Sequence, residues 1–206
     1  MTNANCMHIN ISSLRAEQND EAVRVLARAF ATNPINMAVF GANELARNEV
    51  FFRAGIKLMK GTNLVALDGT RIVGVIHWVR SPQCQVAARD KVRVLPQMLN
   101  GLGIPTTLRL LSWLGAWGSH DPSERHFHLG PIGVDPHAQG QRVGWRLMEE
   151  FCKELDREAL EGYLETDRPK NVDFYQRFGF TVCAEAQVLG MPNWFMSRSP
   201  SCRLPE

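Results

Sequence analysis

Along the 206-residue chain the spacing of hydrophobic positions switches repeatedly between a period of about 2 and one of about 3.6. His8 to Leu14 predicts a first strand, and Asn19 opens a helical pattern carrying Ala22, Val23, Val25, Leu26 and Phe30. Pro34 marks a loop, and Phe51 to Met59 predicts a second helix. Asn63 to Leu67 and Ile72 to Val79 read as hairpin strands joined through Asp68-Gly69-Thr70, and Pro82 ends the second of them. From Asp90 to Trp117 the pattern is helical, interrupted at Gly101 to Pro105. Its second half carries Leu108, Leu110, Leu111, Trp113, Leu114 and Trp117, expected as the core face of a helix closing one side of a sheet. A substrate-pocket wall is the alternative. A membrane-surface helix is disfavoured, because Arg109 is its sole cation.

Phe127 to Val134 predicts the next strand. Val143, Leu147, Phe151 and Leu155 then recur every four residues, the clearest helix in the chain. A short strand (Gly162 to Thr166), a short helix (Asn171 to Phe178) and a strand (Phe180 to Val188) follow, and Trp194 to Ser197 is expected to close the sheet. Strands alternating with helices, plus two hairpin-like pairs, predict an α/β fold: a mixed, twisted central sheet covered by helices on both faces. Length and the absence of repeats favour one domain over residues 1–206.

Composition narrows the function. Lys plus Arg (23) nearly balances Asp plus Glu (21), so no net field draws in nucleic acid or an anionic membrane, and neither is an expected partner. Cys6, Cys84, Cys152, Cys183 and Cys202 are dispersed and odd in number, without a C-x-x-C pair, which suggests a reducing, cytoplasmic compartment. The opening MTNANCMHIN lacks the pattern of a secretory signal, and no stretch has the roughly 18 apolar residues that would span a bilayer. The sequence leaves oligomeric state open, including a homodimer.

The chemistry concentrates between Gly133 and Gly144, after a strand and before an amphipathic helix. The first turn of a helix offers unpaired N–H groups and partial positive charge, so a loop permitting close approach binds a diphosphate. Gly140 and Gly144 permit it; Arg142 adds a charge-assisted contact and Gln139 a neutral one. The plainer alternative is a turn with a close helix–sheet contact. Neither G-x-x-x-x-G-K-[ST] nor G-x-G-x-x-G is present in the run.

The order Gln139-x-x-Arg142-x-Gly144 after Ile132-Gly133-Val134 resembles the acyl-CoA turn of the GCN5-related N-acetyltransferase (GNAT) superfamily, usually [QR]-x-x-G-x-[GA]. Arg142 departs from it, standing where the family most often has glycine. The resemblance implies acetyl-CoA as co-substrate. Backbone groups of Ile132, Gly133 and Val134 would hold its pantetheine arm like an added strand. The backbone of Gln139, Gly140, Gln141, Arg142, Val143, Gly144 and Trp145 would hold its pyrophosphate. An amide near Val134, where the superfamily splays two parallel strands, would meet the oxyanion.

LETDRPKNVDFYQRFGF, from Leu164 to Phe180, looks like the superfamily's distal motif, which places Asn171 and Tyr175 four residues apart on one helix face toward the thioester. By this resemblance Tyr175 is the general acid for the departing thiolate, with its phenol pKa of about 10 close enough to a thiol's 8.5 for a nearly balanced transfer. A buried structural tyrosine is the alternative. Asn171 also suits an N-cap accepting from the Phe174 amide. His126, His128 and Glu165 are candidates to take the amine's proton. His126 and His128 share a strand face, but no third ligand stands at recognisable spacing, so no metal is expected.

The motif-bearing similarity covers about residues 127–198. Within it, the distal segment and Pro192-Asn193-Trp194-Phe195-Met196-Ser197-Arg198 resemble puromycin N-acetyltransferase and its relatives, which implies transfer of acetyl to a primary amine of a small molecule. The alternatives are a protein-lysine or N-terminal acetyltransferase and, motivated by Arg142, a non-catalytic acyl-CoA-binding module.

Overall fold

A computed structural model describes residues 8–58 and 60–200. Cys6, Cys202 and Met59, the end of the second expected helix, lie outside the described residues.

Seven strands form one sheet in the order β1-β2-β3-β4-β5-β7-β6. They are β1 (Ile9–Ser13), β2 (Thr62–Asp68), β3 (Arg71–Arg80), β4 (His126–Val134), β5 (Glu161–Thr166), β6 (Thr181–Val188) and β7 (Met191–Arg198). All neighbouring pairs are antiparallel except β4 and β5. β7 lies inside the sheet between β5 and β6, so the closing edge is β6 rather than the expected Trp194 to Ser197 segment.

The helices are α1 (Asn19–Phe30), α2 (Pro34–Phe40), α3 (Leu45–Leu58), α4 (Ala88–Leu102), α5 (Ile104–Gly118), α6 (Val143–Glu158) and α7 (Pro169–Gln176). Pro34 begins a helix instead of marking a loop: its fixed φ suits the first helical position, where its missing N–H costs nothing. α3 starts well before the expected Phe51.

α6 buries Val143, Leu147, Met148, Phe151 and Leu155 against one sheet face, with Trp78, Phe127 and Leu129. Gly74 makes this packing possible, since a Cβ there would come within 2.8 Å of Val143 Cγ1 and 3.0 Å of Leu147 Cδ1. α1 and α3 cover the opposite face through Val23, Leu26, Ala27 and Phe52 against Val65, Ile72 and Val75.

α5 does not close a side of the sheet. Its buried Leu110 and Trp113 pack with Ile35, Val39 and Phe40 of α2, Met98 and Leu102 of α4, and Val188 at the end of β6. Leu108, Leu111 and Leu114 stay exposed at 61%, 47% and 44%, so only part of the expected core face is core. No described helix is long and apolar enough to cross a membrane.

Candidate active site

The β4–β5 register consists of His126↔Glu161, Phe127↔Gly162 and His128↔Tyr163, and stops there although both strands continue. One cause is visible on the other edge of β4. Opposite His77 of β3, β4 inserts Gly130 and Pro131 between Leu129, which pairs with Trp78, and Ile132, which pairs with Ile76. Proline cannot donate to a ladder, so Pro131 belongs at such a bulge. A Cβ at residue 130 would lie 2.7 Å from the His77 ring. Burial drives that ring's pKa down to about 4, leaving it neutral with Nδ1 3.1 Å from the Thr62 carbonyl oxygen.

Beyond the bulge, the Asp135 amide donates to the Val73 carbonyl. Ladder alternation then turns the backbone groups of Val134 and Ile132 toward the side that β5 has left. Gly133 lies directly under α1: a Cβ there would meet Leu26 Cδ2 at 2.9 Å and Ala29 Cβ at 3.1 Å, so its lack of a side chain serves α1 packing.

The turn that follows is held by its own side chains. Asp135 Oδ1 accepts from the His137 amide at 3.1 Å, and Asp135 Oδ2 takes both Arg28 donors, at 2.6 and 3.1 Å. Burial raises the Asp135 carboxyl, but the Arg28 and His137 hydrogen bonds outweigh it and hold the group below the ordinary carboxylate range. A depressed folded value stabilises the protein above the unfolded pKa of about 3.9 and loses that contribution as pH falls through the folded value. Asp135→Asn should therefore cost about 1–2 kcal/mol near neutrality, in line with one partly exposed charge-assisted pair, with the gap to wild type narrowing below about pH 4. Urea midpoints at a series of pH values check this; a gap independent of pH would sink it.

Gly140 has φ +78 and Arg142, the residue preceding α6, has φ +62. Arg142 thus adopts the left-handed conformation that glycine takes without cost. The departure from the family turn places an arginine at a backbone conformation that suits glycine, at roughly 1–2 kcal/mol of strain. Arg142→Gly should raise stability by about 0.5–1 kcal/mol after glycine's entropy in the unfolded chain is subtracted, whereas Arg142→Val should lower it. Denaturant titration of both variants decides the matter, and the opposite order of stabilities would contradict it.

No side chain caps α6, whose first intrahelical bond runs from the Arg146 amide to the Arg142 carbonyl. The amides of Val143, Gly144 and Trp145 precede that bond and sit at the positive end of a 16-residue helix. The structure restricts Val143 and Trp145 to these amides: the Val143 side chain is core, and the Trp145 ring packs 4.4 Å from Phe178 with Nε1 donating to Glu149. Gly144 has room for a Cβ, with nothing nearer than Val134 Cγ2 at 3.6 Å. Gln139 Nε2 donates to the Val134 carbonyl at 3.2 Å and Gln141 Nε2 to the His137 carbonyl at 3.4 Å, so both shape the loop.

α7 begins at Pro169 with Arg168 at its N-cap, earlier than expected, so Asn171 is not the cap and does not accept from Phe174. Its Nδ2 donates to Thr166 Oγ1 at 3.2 Å. Tyr175 is 6% exposed, with its ring edge-on to Phe174 and Phe180. The chain's second tyrosine, Tyr163, donates to the His120 carbonyl at 3.0 Å and is structural. Burial, then the Asp167 and Glu165 carboxylates, push the Tyr175 phenol above its ordinary value, so transfer of its proton to a thiolate is uphill rather than nearly balanced.

Glu165 and His128 meet at the splay. His128 Nε2 lies 3.0 Å from Glu165 Oε2 and its Nδ1 lies 2.8 Å from Asp121 Oδ1. Burial disfavours the imidazolium, but the Glu165 and Asp121 carboxylates overcome that and hold its pKa well above the usual value. His128 is therefore an occupied imidazolium and a poor direct base. Glu165 Oε1 is buried with no hydrogen-bond partner among the described residues. His126 is 1% exposed, with Nδ1 2.9 Å from the Glu124 carbonyl. Cys84 and Asp121 lie beside the histidine pair as further ligand-type neighbours. Neither has recognisable spacing in the chain. The bulge had a readable signal in Pro131.

One cavity of about 930 Å³ joins these parts, lined by Gly140 and Arg142, Asn171 and Tyr175, Glu165, and Leu110 and Trp113 of α5.

The acetyltransferase (GNAT) family model matches residues 35–180. A structure described as histone acetyltransferase HPA2 and related acetyltransferase, from Corynebacterium glutamicum, superposes with TM-score 0.74 at 20% identity, over 96% of this chain and 99% of that one. A Drosophila melanogaster polyamine N-acetyltransferase that forms N-acetylagmatine gives TM-score 0.64 at 14% identity, over 93% and 99%. A Brucella melitensis GNAT acetyltransferase in complex with acetyl-CoA gives 0.52 at 17%, over 97% and 93%. At these identities the structures speak for the fold; the family model, spanning most of the chain, shows that this protein belongs to the GNAT acetyltransferase family.

Proposed function

We propose that the protein is an acetyl-CoA-dependent N-acetyltransferase that acetylates a primary amine of a small molecule with an apolar body. The observation that carries this is that one cavity is lined both by the uncapped α6 N-terminus and by α5, which we take as the acceptor end. Phe51, Leu110, Trp113 and Trp117 line that end, suited to an aromatic or aliphatic portion of the acceptor. Glu165 and Asp167, also lining it, attract an ammonium. The likeness of residues 164–180 and 192–198 to puromycin N-acetyltransferase supports a small acceptor.

The amides of residues 143–145 and the backbone of 140–142 bind the pyrophosphate, and Ile132 and Val134 hold the pantetheine arm as an added strand. Glu165 Oε1, directly or through water, takes the ammonium proton, while the His128 Nε2–H keeps Oε2 engaged. The neutral amine attacks the thioester carbonyl, an amide near Val134 stabilises the oxyanion, and the C–S bond breaks. Tyr175 donates a hydrogen bond to the departing sulfur, which leaves as thiol with the proton lost by the attacking nitrogen.

An acceptor panel of arylalkyl amines, aliphatic polyamines and lysine-containing peptides, scored by free CoA thiol and by the mass of the acetylated product, tests the substrate class. Arylalkyl amines should give the highest kcat/KM. A preference for peptide lysine would replace this reading with a protein acetyltransferase.

A further inference from the structure

We propose that Cys84, Asp121, His126 and His128 form a zinc site that staples both ends of the α4–α5 insert to β4. The four ligand atoms lie within 4.8 Å of one another, although they come from three separated segments. Cys84 precedes α4, Asp121 follows α5, and the histidines stand at the paired start of β4. One ion would tie the cavity's apolar wall to the strand at which the sheet splays.

Thiolate, carboxylate and two imidazoles are a donor set suited to tetrahedral Zn²⁺, whose bonds of about 2.0–2.3 Å place neighbouring ligand atoms roughly 3.3–3.6 Å apart. The distances straddle that value: His128 Nδ1 to Asp121 Oδ1 is 2.8 Å, Cys84 Sγ to His126 Nε2 is 3.9 Å, and His126 Nε2 to Asp121 Oδ1 is 4.0 Å. Shifts of up to about 1 Å bring the four atoms, all within 4.8 Å of one another, into place.

Two further observations point to a ligand. Asp121 Oδ1 and His128 Nδ1 are buried and lack a hydrogen-bond partner among the described residues, their mutual contact being misaligned for one. The Asp121 side chain is only 7% exposed, and an ion pair misaligned for a hydrogen bond leaves both buried atoms with bonding capacity that a cation can satisfy. Each ligand is also oriented from behind. Nδ1 of His126 faces the Glu124 carbonyl, leaving Nε2 toward the cluster; Nε2 of His128 faces Glu165, leaving Nδ1; and Asp121 Oδ2 accepts from Gln85. Metal-binding histidines are held in this manner, with the far nitrogen on a carbonyl or carboxylate. Zinc binding releases the Cys84 thiol proton and the His128 Nδ1 proton.

Purified protein stripped by a chelator and titrated with zinc should bind about one ion per chain. Cys84→Ser should weaken binding by more than about 100-fold, and Glu165→Gln, which leaves all four ligands in place and changes the carboxylate behind His128, by about 10–100-fold. Cys152→Ser, on α6, should bind as wild type. Cobalt substitution should show a thiolate charge-transfer band that Cys84→Ser lacks. Should that variant misfold, zinc must slow alkylation of Cys84 in the wild-type protein, followed at its own peptide by mass spectrometry. No stoichiometric zinc, undiminished binding by folded Cys84→Ser, or an alkylation rate indifferent to zinc would each overturn the site, whatever the acetyl-transfer assay shows.

Discussion

Replacing Tyr175 with phenylalanine is expected to lower kcat by about 10²–10³-fold while acetyl-CoA affinity stays within about twofold. The change removes one oxygen from a ring packed by Phe174 and Phe180, so the fold should not notice it. The size of the effect follows from what the hydroxyl can do. Burial and two nearby carboxylates hold the phenol protonated well beyond neutrality. In the mechanism we propose, it serves as a hydrogen-bond donor to the forming thiolate, comparable in worth to one oxyanion-hole donor, and does not give up its proton outright. No limb of the pH–rate profile between pH 6 and about 9 should vanish with the substitution. Steady-state kinetics with calorimetric titration of acetyl-CoA read both parts, and unchanged turnover would remove Tyr175 from the mechanism.

Phe151→Ala should cost about 3–5 kcal/mol, much of the 5–15 kcal/mol that holds a domain folded. Phe151 is fully buried between Trp78 on β3 and Phe180 ahead of β6, with ring centroids at 5.5 and 6.3 Å. It lies two turns along the helix that presents the amides of residues 143–145. Loss of packing there should loosen the proposed diphosphate site as well as the core, so acetyl-CoA should rescue part of the lost thermal stability by mass action. Denaturant unfolding with and without acetyl-CoA tests this. A loss below about 1 kcal/mol would mean that α6 does not depend on this contact.

The parts legible in the sequence are those built from local repetition. α6 announced itself because Val143, Leu147, Phe151 and Leu155 return every four residues and are all buried. The β2–β3 hairpin followed from two apolar runs around Asp68-Gly69, and Gly69 does take positive φ in the turn. α2 was hidden because Pro34 signals equally a loop and a first helical turn. In α5, Leu110 and Leu111 look alike in sequence, yet one is core and the other exposed, a difference set by where α2 and α4 dock.

The same distinction divides the site. The turn and α7 are contiguous segments and could be read as motifs, whereas the contact of His128 with Asp121 and Glu165 joins residues from a loop and two strands that no spacing relates. Arg142 shows how a departure in letters can be blind to conformation: the motif has glycine there, and the backbone at Arg142 takes the positive φ that glycine favours.

The central claim is that acetyl-CoA lies across the β4–β5 splay, with its pyrophosphate at the start of α6 and its thioester beside Tyr175. Amide hydrogen exchange, followed by mass spectrometry with and without acetyl-CoA, tests that placement directly. Protection should concentrate in residues 132–146 and 171–176, with the β1–β2 edge unchanged. Saturation by acetyl-CoA without slowing in 139–146, or with protection elsewhere instead, would contradict it.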